Sequence, residues 1–194
     1  MDGNTRSWCG GSPRWRFGTL REPRPRVSCS LRPVARAQRA RFEALTAATG
    51  VFQPAEAAIA VEVLDEALAG DDDYRFVGAY EGGADTLVGF ACWGPTPATV
   101  GTWDLYWIAV DPAWQGKGVG SDLLHEVERR LAADCARLLV VETSSRAEYA
   151  PTRGFYERRG FRRAAVLPEY YAPGDDLVIY LKDLTHGVLA TTAS

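Results

Sequence analysis

The spacing of apolar and polar residues changes along the chain, and each change marks an element. Val27, Cys29 and Leu31 alternate with Ser28, Ser30 and Arg32, which predicts a first strand. Two helices follow, one over 35–49 stopped by Gly50, the other from 52 with Pro54 in its first turn and Gly70 at its end. Ile59, Val63 and Ala67, beside Ala60, Leu64 and Leu68, give the second helix its apolar stripe. Residues 74–80 and 86–93 read as antiparallel strands joined by 81–85, and 94–97 (Gly-Pro-Thr-Pro) predicts the next turn. A strand over 102–110 runs through a glycine-rich stretch into a helix over 119–133. That helix turns Leu123, Leu124, Val127 and Leu131 inward and places Asp122 and Glu126 ahead of Arg129 and Arg130, as the macrodipole favours. Residues 137–141 are continuously apolar, which predicts a strand covered on both faces. A short helix over 151–159 and strands near 161–166 and 177–182 complete the pattern. The chain therefore reads as one α/β domain over 27–184, with a mixed central sheet of about six to seven strands and about four helices. Residues 1–26 read as a disordered basic tail and 185–194 as a frayed end.

Composition narrows the class. The chain has 194 residues and 46% hydrophobic content, enough for one ordinary core. No apolar run reaches the roughly 20 residues of a membrane span, and the basic tail lacks the apolar core of a secretory signal. Cys9, Cys29, Cys92 and Cys135 have no C-x-x-C spacing, and the two histidines pair with no cysteine at ligand distance. A metal site or disulfide framework is not expected, and a cytoplasmic location is. Charge is divided unevenly: ten arginines against Asp2 and Glu22 give residues 1–41 a balance of +8, leaving −11 for the rest of a chain whose total is −3. An acidic domain disfavours nucleic acid and favours cationic small molecules or basic peptide ends. The tail, with Trp8 and Trp15, keeps a nucleic-acid or membrane-surface role open beside that of a dispensable extension.

The stretch Gln115, Gly116, Lys117, Gly118, Val119, Gly120 carries the chemistry. Its alternate glycines, between a strand and a helix, allow positive φ and close ligand approach, and the helix start adds free N–H groups. A phosphate or pyrophosphate is the fitting ligand. Neither G-x-x-x-x-G-K-[ST] nor G-x-G-x-x-G matches; what remains is Q-x-x-G-x-G. Upstream stand Trp107, Ile108, Ala109, Val110, Asp111 and Pro112; downstream stands F-Y-E-R-R-G-F over 155–161. Taken together, these two motifs resemble the GNAT family of N-acetyltransferases. The resemblance implies a mostly antiparallel sheet splayed between its fourth and fifth strands, with acetyl-CoA as co-substrate. The main-chain amides over 115–121, Ser121 included, would cradle its pyrophosphate, and Lys117 would add a cation. The coenzyme arm would pair with the exposed backbone of Ile108, Ala109 and Val110, whose N–H groups would also face the oxyanion.

Acetyl transfer to an amine needs a base, oxyanion stabilisation and protonation of the leaving thiolate. A lysine-type amine of pKa about 10.4 costs roughly 4–5 kcal/mol to neutralise at pH 7, an α-amine of pKa about 8 only about 1. Asp104 is one candidate base, read as sharing a face with Tyr106 and Ile108; some family members carry a glutamate at the equivalent position, and the shorter aspartate implies a bridging water. Glu142, at the end of the apolar strand, is a second candidate, as base or acceptor-binding carboxylate. Tyr156, four residues before Gly160, corresponds by resemblance to the tyrosine near the coenzyme sulfur, where a phenol of pKa about 10 donates to the thiolate. The family's asparagine and alanine ahead of that tyrosine are Tyr149 and Thr152 here, so Thr152 and Arg153 stand in for the lost coenzyme contacts. Tyr170 and Tyr171 resemble the tyrosine-rich turn of ribosomal-protein N-terminal acetyltransferases. The reading is an N-acetyltransferase acting on a small-molecule or peptide amine by direct attack. A ribosomal-protein-type N-terminal acetyltransferase and a non-catalytic acyl-CoA-binding regulatory domain are the alternatives, and a homodimer stays open.

Overall fold

A computed structural model describes residues 28–50, 52–82 and 85–185. The expected basic tail and all of the expected frayed end except Thr185 lie outside them. Seven strands and four α-helices alternate as β1 (Cys29–Arg32), α1 (Arg39–Ala48), α2 (Pro54–Ala69), β2 (Arg75–Glu81), β3 (Leu87–Pro95), β4 (Thr102–Val110), α3 (Val119–Ala133), β5 (Leu138–Ser144), α4 (Ala150–Glu157), β6 (Arg162–Ala172) and β7 (Asp175–Asp183). They form one sheet in the order β1-β2-β3-β4-β5-β7-β6, antiparallel throughout except where β4 meets β5. This is the element order that the hydrophobic pattern predicts.

Each face of the sheet buries its own core. Phe42 and Leu45 of α1 and Ala60, Val61 and Leu64 of α2 pack on Tyr80, Leu87, Phe90 and Ala109. On the opposite face Leu123, Leu124, Val127 and Leu131 of α3 meet Val77, Ala91, Trp93 and Leu105, with Tyr156 and Phe161 extending the cluster. Pro54 opens α2 inside a capping box between Gln53 and Glu56, which satisfies two of the unpaired N–H groups at the helix start.

The strand pair β4–β5 positions the site. Only Thr102, Trp103 and Asp104 of β4 pair with Leu138, Leu139 and Val140 of β5, after which the strands part. β5 remains in register with β7 as far as Ser144, and β4 with β3 as far as Val110, so the gap is confined to one seam. The splay between the fourth and fifth strands expected from the resemblance is present.

Several local expectations need correction. Against β3, the register of β4 shifts by one residue at Tyr106, between the pairs Cys92–Trp107 and Trp93–Leu105. A bulge of one residue reverses the facing of everything beyond it. Trp103 and Leu105 therefore face the α3 core together with Ile108 and Val110, whereas Trp107 and Ala109 pack against the α1–α2 core. Asp104 and Ile108 consequently lie on opposite faces, not on the shared face that uniform alternation predicts. The turn expected at 94–97 falls later, because β3 continues through Pro95; a side chain at Gly94 would come 2.2 Å from the Asp73 carbonyl oxygen. β5 runs on to Ser144 and alternates over 138–142, with Leu139 and Val141 buried and Glu142 exposed, because its second face opens on a cleft. β6 extends to Ala172, so Tyr170 and Tyr171 belong to a hairpin strand and not to a loop.

Candidate active site

The glycine stretch closes the end of β4. Gly116 and Gly118 adopt φ of 73° and 98°, left-handed values that glycine tolerates and L side chains resist. Gly120 does not share that conformation: it lies in the first turn of α3, where an added Cβ would touch the Phe155 ring at 3.4 Å and the Val110 side chain at 3.6 Å. Its role is close packing of α3 on α4 and β4. The N–H groups of Gly116, Lys117, Gly118, Val119 and Gly120 have no acceptor among the described residues, while Ser121 and Asp122 already donate to the Gly118 carbonyl. Five unpaired donors at the positive end of a 15-residue helix make an anion cradle.

Its flanks carry cations. The Lys117 ammonium sits 4.7 Å from the Trp114 ring centroid. Arg159 donates to the Ser121 hydroxyl and lies 3.9 Å from the Phe155 ring centroid. Burial, then the neighbouring Arg158 charge, holds the Arg159 guanidinium below its ordinary pKa. Arg158, Arg159 and Lys182 line a concavity beside Ser121 and His125. Gln115 serves the frame itself, its amide donating to the Val110 carbonyl at 3.1 Å. Arg41 fixes the same corner through a 2.5 Å ion pair with Asp111 and a bond to the Leu87 carbonyl.

The seam leads inward from this cradle. Asp111 N–H donates to the Val88 carbonyl on β3. Strand alternation therefore turns the N–H groups of Ile108 and Val110 to the other edge, which faces the gap. The Ala109 N–H points back to β3, so of the three residues expected to offer backbone along the gap, Ile108 and Val110 do so.

On the α1–α2 side the seam widens into a cleft of about 700 Å³. Asp104 and Glu142 both line it, as do Glu56, Tyr106, Trp107 and Tyr171. The two carboxylates are not equivalent. Asp104 accepts a 2.7 Å hydrogen bond from the Thr96 hydroxyl. Glu142 has no hydrogen-bond or ion-pair partner among the described residues, and although its side chain reaches solvent, partial desolvation of the carboxylate in the cleft, then the Asp104 charge, raises its pKa. Burial and the Asp104 charge push Tyr106 up to about 12, and burial with the Glu142 charge does the same to Tyr171. The cleft is electronegative and walled by rings. Asp175, also at its rim, is already engaged by Ser144 and Arg146.

Tyr156 occupies the other side of the sheet. It is 4% exposed and packed among Phe155, Phe161 and Tyr180, and its hydroxyl has no hydrogen-bond partner among the described residues. Burial raises its pKa, so the phenol stays protonated. The three catalytic candidates thus divide across the seam, with Asp104 and Glu142 on the cleft face and Tyr156 on the α4 face. Thr152 is part-buried near the start of α4, but Arg153 is committed elsewhere, donating to the Ser144 and Arg146 carbonyls at 2.6 and 2.9 Å. Sequence reasoning missed Glu56 and Tyr106 on the cleft and Arg159 at the cradle, whereas Tyr171, expected from the resemblance to the tyrosine-rich turn, does line the cleft. The F-Y-E-R-R-G-F motif held a signal for Arg159, whose guanidinium lies back over the Phe155 ring one helical turn earlier. Among the described residues no three His, Cys, Asp or Glu side chains converge as metal ligands.

A family model of the acetyltransferase (GNAT) domain matches residues 72–163, the span from β2 to the start of β6. A crystal structure of a GNAT-family protein from Desulfovibrio desulfuricans is 44% identical, covers 81% of this chain and 99% of its own, and superposes with a TM-score of 0.78. The chain belongs to the GNAT family. N-alpha-acetyltransferase RimI of Mycobacterium tuberculosis is 37% identical over 100 residues, which are 50% of this chain and 58% of that protein. A GNAT fold from Salmonella typhimurium, solved with its cofactor acetyl-CoA, has a TM-score of 0.63 at 19% identity over 81% of this chain and 94% of its own, a likeness of fold. As a GNAT protein the chain has the parted β4–β5 seam that the resemblance implied.

Proposed function

We propose that the protein transfers the acetyl group of acetyl-CoA to a primary amine bound in the acidic cleft, by direct attack in a ternary complex. One observation carries the reading: β4 and β5 part after three register pairs, and the gap joins a cradle of unpaired N–H groups to a cleft holding an unpartnered carboxylate. Acetyl-CoA supplies an acyl group already activated as a thioester. The amides of residues 116–120, with Lys117 and Ser121 beside them, hold its pyrophosphate, and Thr152 lies along the same path. Ile108 and Val110 N–H groups face the carbonyl oxygen where charge develops. Glu142 takes the proton of the incoming ammonium, directly or through water, with Asp104 beside it as a fixed anion that keeps the Glu142 carboxylate basic. The Tyr156 phenol donates to the departing sulfur.

Glu56, Asp104 and Glu142 among the rings of Tyr106, Trp107 and Tyr171 suit a cationic acceptor with an apolar body. A small molecule bearing a primary amine meets that description. The similarity to RimI favours a second reading, a peptide α-amine as acceptor. Thiol release from acetyl-CoA, measured against a panel of diamines, aminoglycosides and aromatic amines and a panel of peptides with free N-termini, tests both. Turnover with the first panel alone supports the small-molecule reading, and turnover with peptides alone replaces it. Tight coenzyme binding without thiol release on either panel would refute the enzyme.

A further inference from the structure

Two side-chain polar atoms among the described residues are themselves shut off from solvent and lack any hydrogen-bond partner: Trp93 Nε1 and Thr143 Oγ1. Trp93 lies in the closed α3 core, its ring beneath the Arg130 guanidinium at 5.6 Å. Thr143 is different, because it stands at the seam. It is 6% exposed, lies on β5 between Glu142 and Ser144, and contributes to the cleft lining. One edge of β5 pairs Thr143 with Val178 of β7, but on the other edge the last β4 partner is three residues back, at Val140. Strand alternation puts its side chain with Val141, toward the α3–α4 face where Tyr156 lies, and away from Glu142.

A hydroxyl cut off from both water and protein acceptors destabilises the fold, so its place in the sheet calls for a partner that arrives later. A valine would fill the same volume without that cost. The Ile108 and Val110 N–H groups of β4 stand across the gap from this stretch of β5. We infer that the Thr143 hydroxyl donates a hydrogen bond to the thioester carbonyl oxygen of the bound acetyl-coenzyme, from the β5 side of the gap. The inference rests on the acetyl-CoA reading given above. Thr143 then touches the reacting group, and its bond strengthens as negative charge gathers on that oxygen during attack.

The full-length protein tests this with Thr143→Val and Thr143→Ser, using three readouts: the melting temperature without ligand, calorimetric dissociation constants for acetyl-CoA and for CoA, and kcat. Free CoA lacks the acyl carbonyl and serves as the internal control. Thr143→Val should melt at or above the wild type, bind acetyl-CoA about tenfold more weakly, the worth of one neutral hydrogen bond, and bind CoA unchanged. Its kcat should fall at least about tenfold, and Thr143→Ser should restore both values. Equal weakening for CoA and acetyl-CoA, or no change for either, overturns the inference while leaving the coenzyme assignment intact. A Thr143→Val protein melting well below the wild type overturns the premise of an unmet hydroxyl. Wild-type protein that binds neither ligand would instead refute the acetyl-CoA reading beneath it.

Discussion

Glu142 and Asp104 face one cleft, yet their surroundings assign them different chemistry. Thr96 donates to Asp104 and fixes it, whereas Glu142 has no partner among the described residues and its pKa is raised by partial desolvation and by the Asp104 charge. A carboxyl raised in the folded state destabilises the fold as pH climbs from the unfolded value, about 4.3, through the folded one, and that cost vanishes again in acid. Glu142→Gln should therefore melt no lower than the wild type at pH 7 while kcat falls roughly 10²–10⁴-fold and the acidic limb of the kcat/KM profile flattens. A marked loss of melting temperature with kcat intact would make Glu142 structural. Tyr156→Phe keeps the packing against Phe155, Phe161 and Tyr180 and removes only the donor. Turnover should drop about 10–100-fold with the acetyl-CoA dissociation constant within about threefold, and unchanged presteady-state thiol release would remove the tyrosine from the reaction. Asp104, Glu142 and Tyr156 were visible in the sequence because strand ends and the Y-x-x-x-G-F spacing mark them. Their division across the sheet was not, since one bulged residue at Tyr106 inverts the facing that alternation predicts. Thr143 gave no signal at all: that a hydroxyl lacks a partner is a property of the packed structure.

Among the elements, those with a strong apolar pattern were legible in extent, and the ends that border the cleft were not. The helix over 119–133 matches α3 to the residue because its apolar face meets a single core, and the strand over 102–110 matches β4 to the residue although a bulge divides its side chains between the two cores. β6 is exposed along its entire length, so no alternation announces its last six residues, and the tyrosines it brings to the cleft rim looked like a loop. β5 looked doubly covered because its apolar run ignores the gap beside it. The loop between β4 and α3 was legible through its glycines, although two of the three, not all, use left-handed φ. Gly118 at φ 98° caps α3 and aims the first helical N–H groups. Gly118→Val should strain that turn by about 1–3 kcal/mol and rotate the donors apart. Calorimetry should then show acetyl-CoA affinity lowered at least about a hundredfold, the loss of two or more charge-assisted bonds, while near-native circular dichroism persists. Unchanged affinity would move the pyrophosphate elsewhere.

For the whole molecule, the long-range field sorts the two substrates. Residues 42–194 carry a formal −11, and Glu56, Asp104 and Glu142 concentrate that sign in the cleft where the amine must enter. A cationic acceptor is steered in by this field, whereas the coenzyme, itself an anion, is repelled at a distance and held at contact by main-chain amides and the cations at the α3 start. Salt acts differently on these two interactions. The Debye length shrinks from about 20–30 Å near 0.01–0.02 M to about 6 Å near 0.3 M, which removes steering but scarcely touches hydrogen bonds at 3 Å. Across that range kcat/KM for a diamine acceptor should fall about five- to tenfold with kcat steady, and a neutral-bodied monoamine should lose about half as much on a logarithmic scale. The KM for acetyl-CoA should stay within about twofold, since reduced repulsion offsets weaker pairing with Lys117 and Arg159. Steady-state kinetics at matched pH in a chloride series reads all three. Parallel salt dependence for diamine and monoamine would mean that the cleft acids do not see the acceptor's second charge, and the aromatic walls alone would then select the substrate.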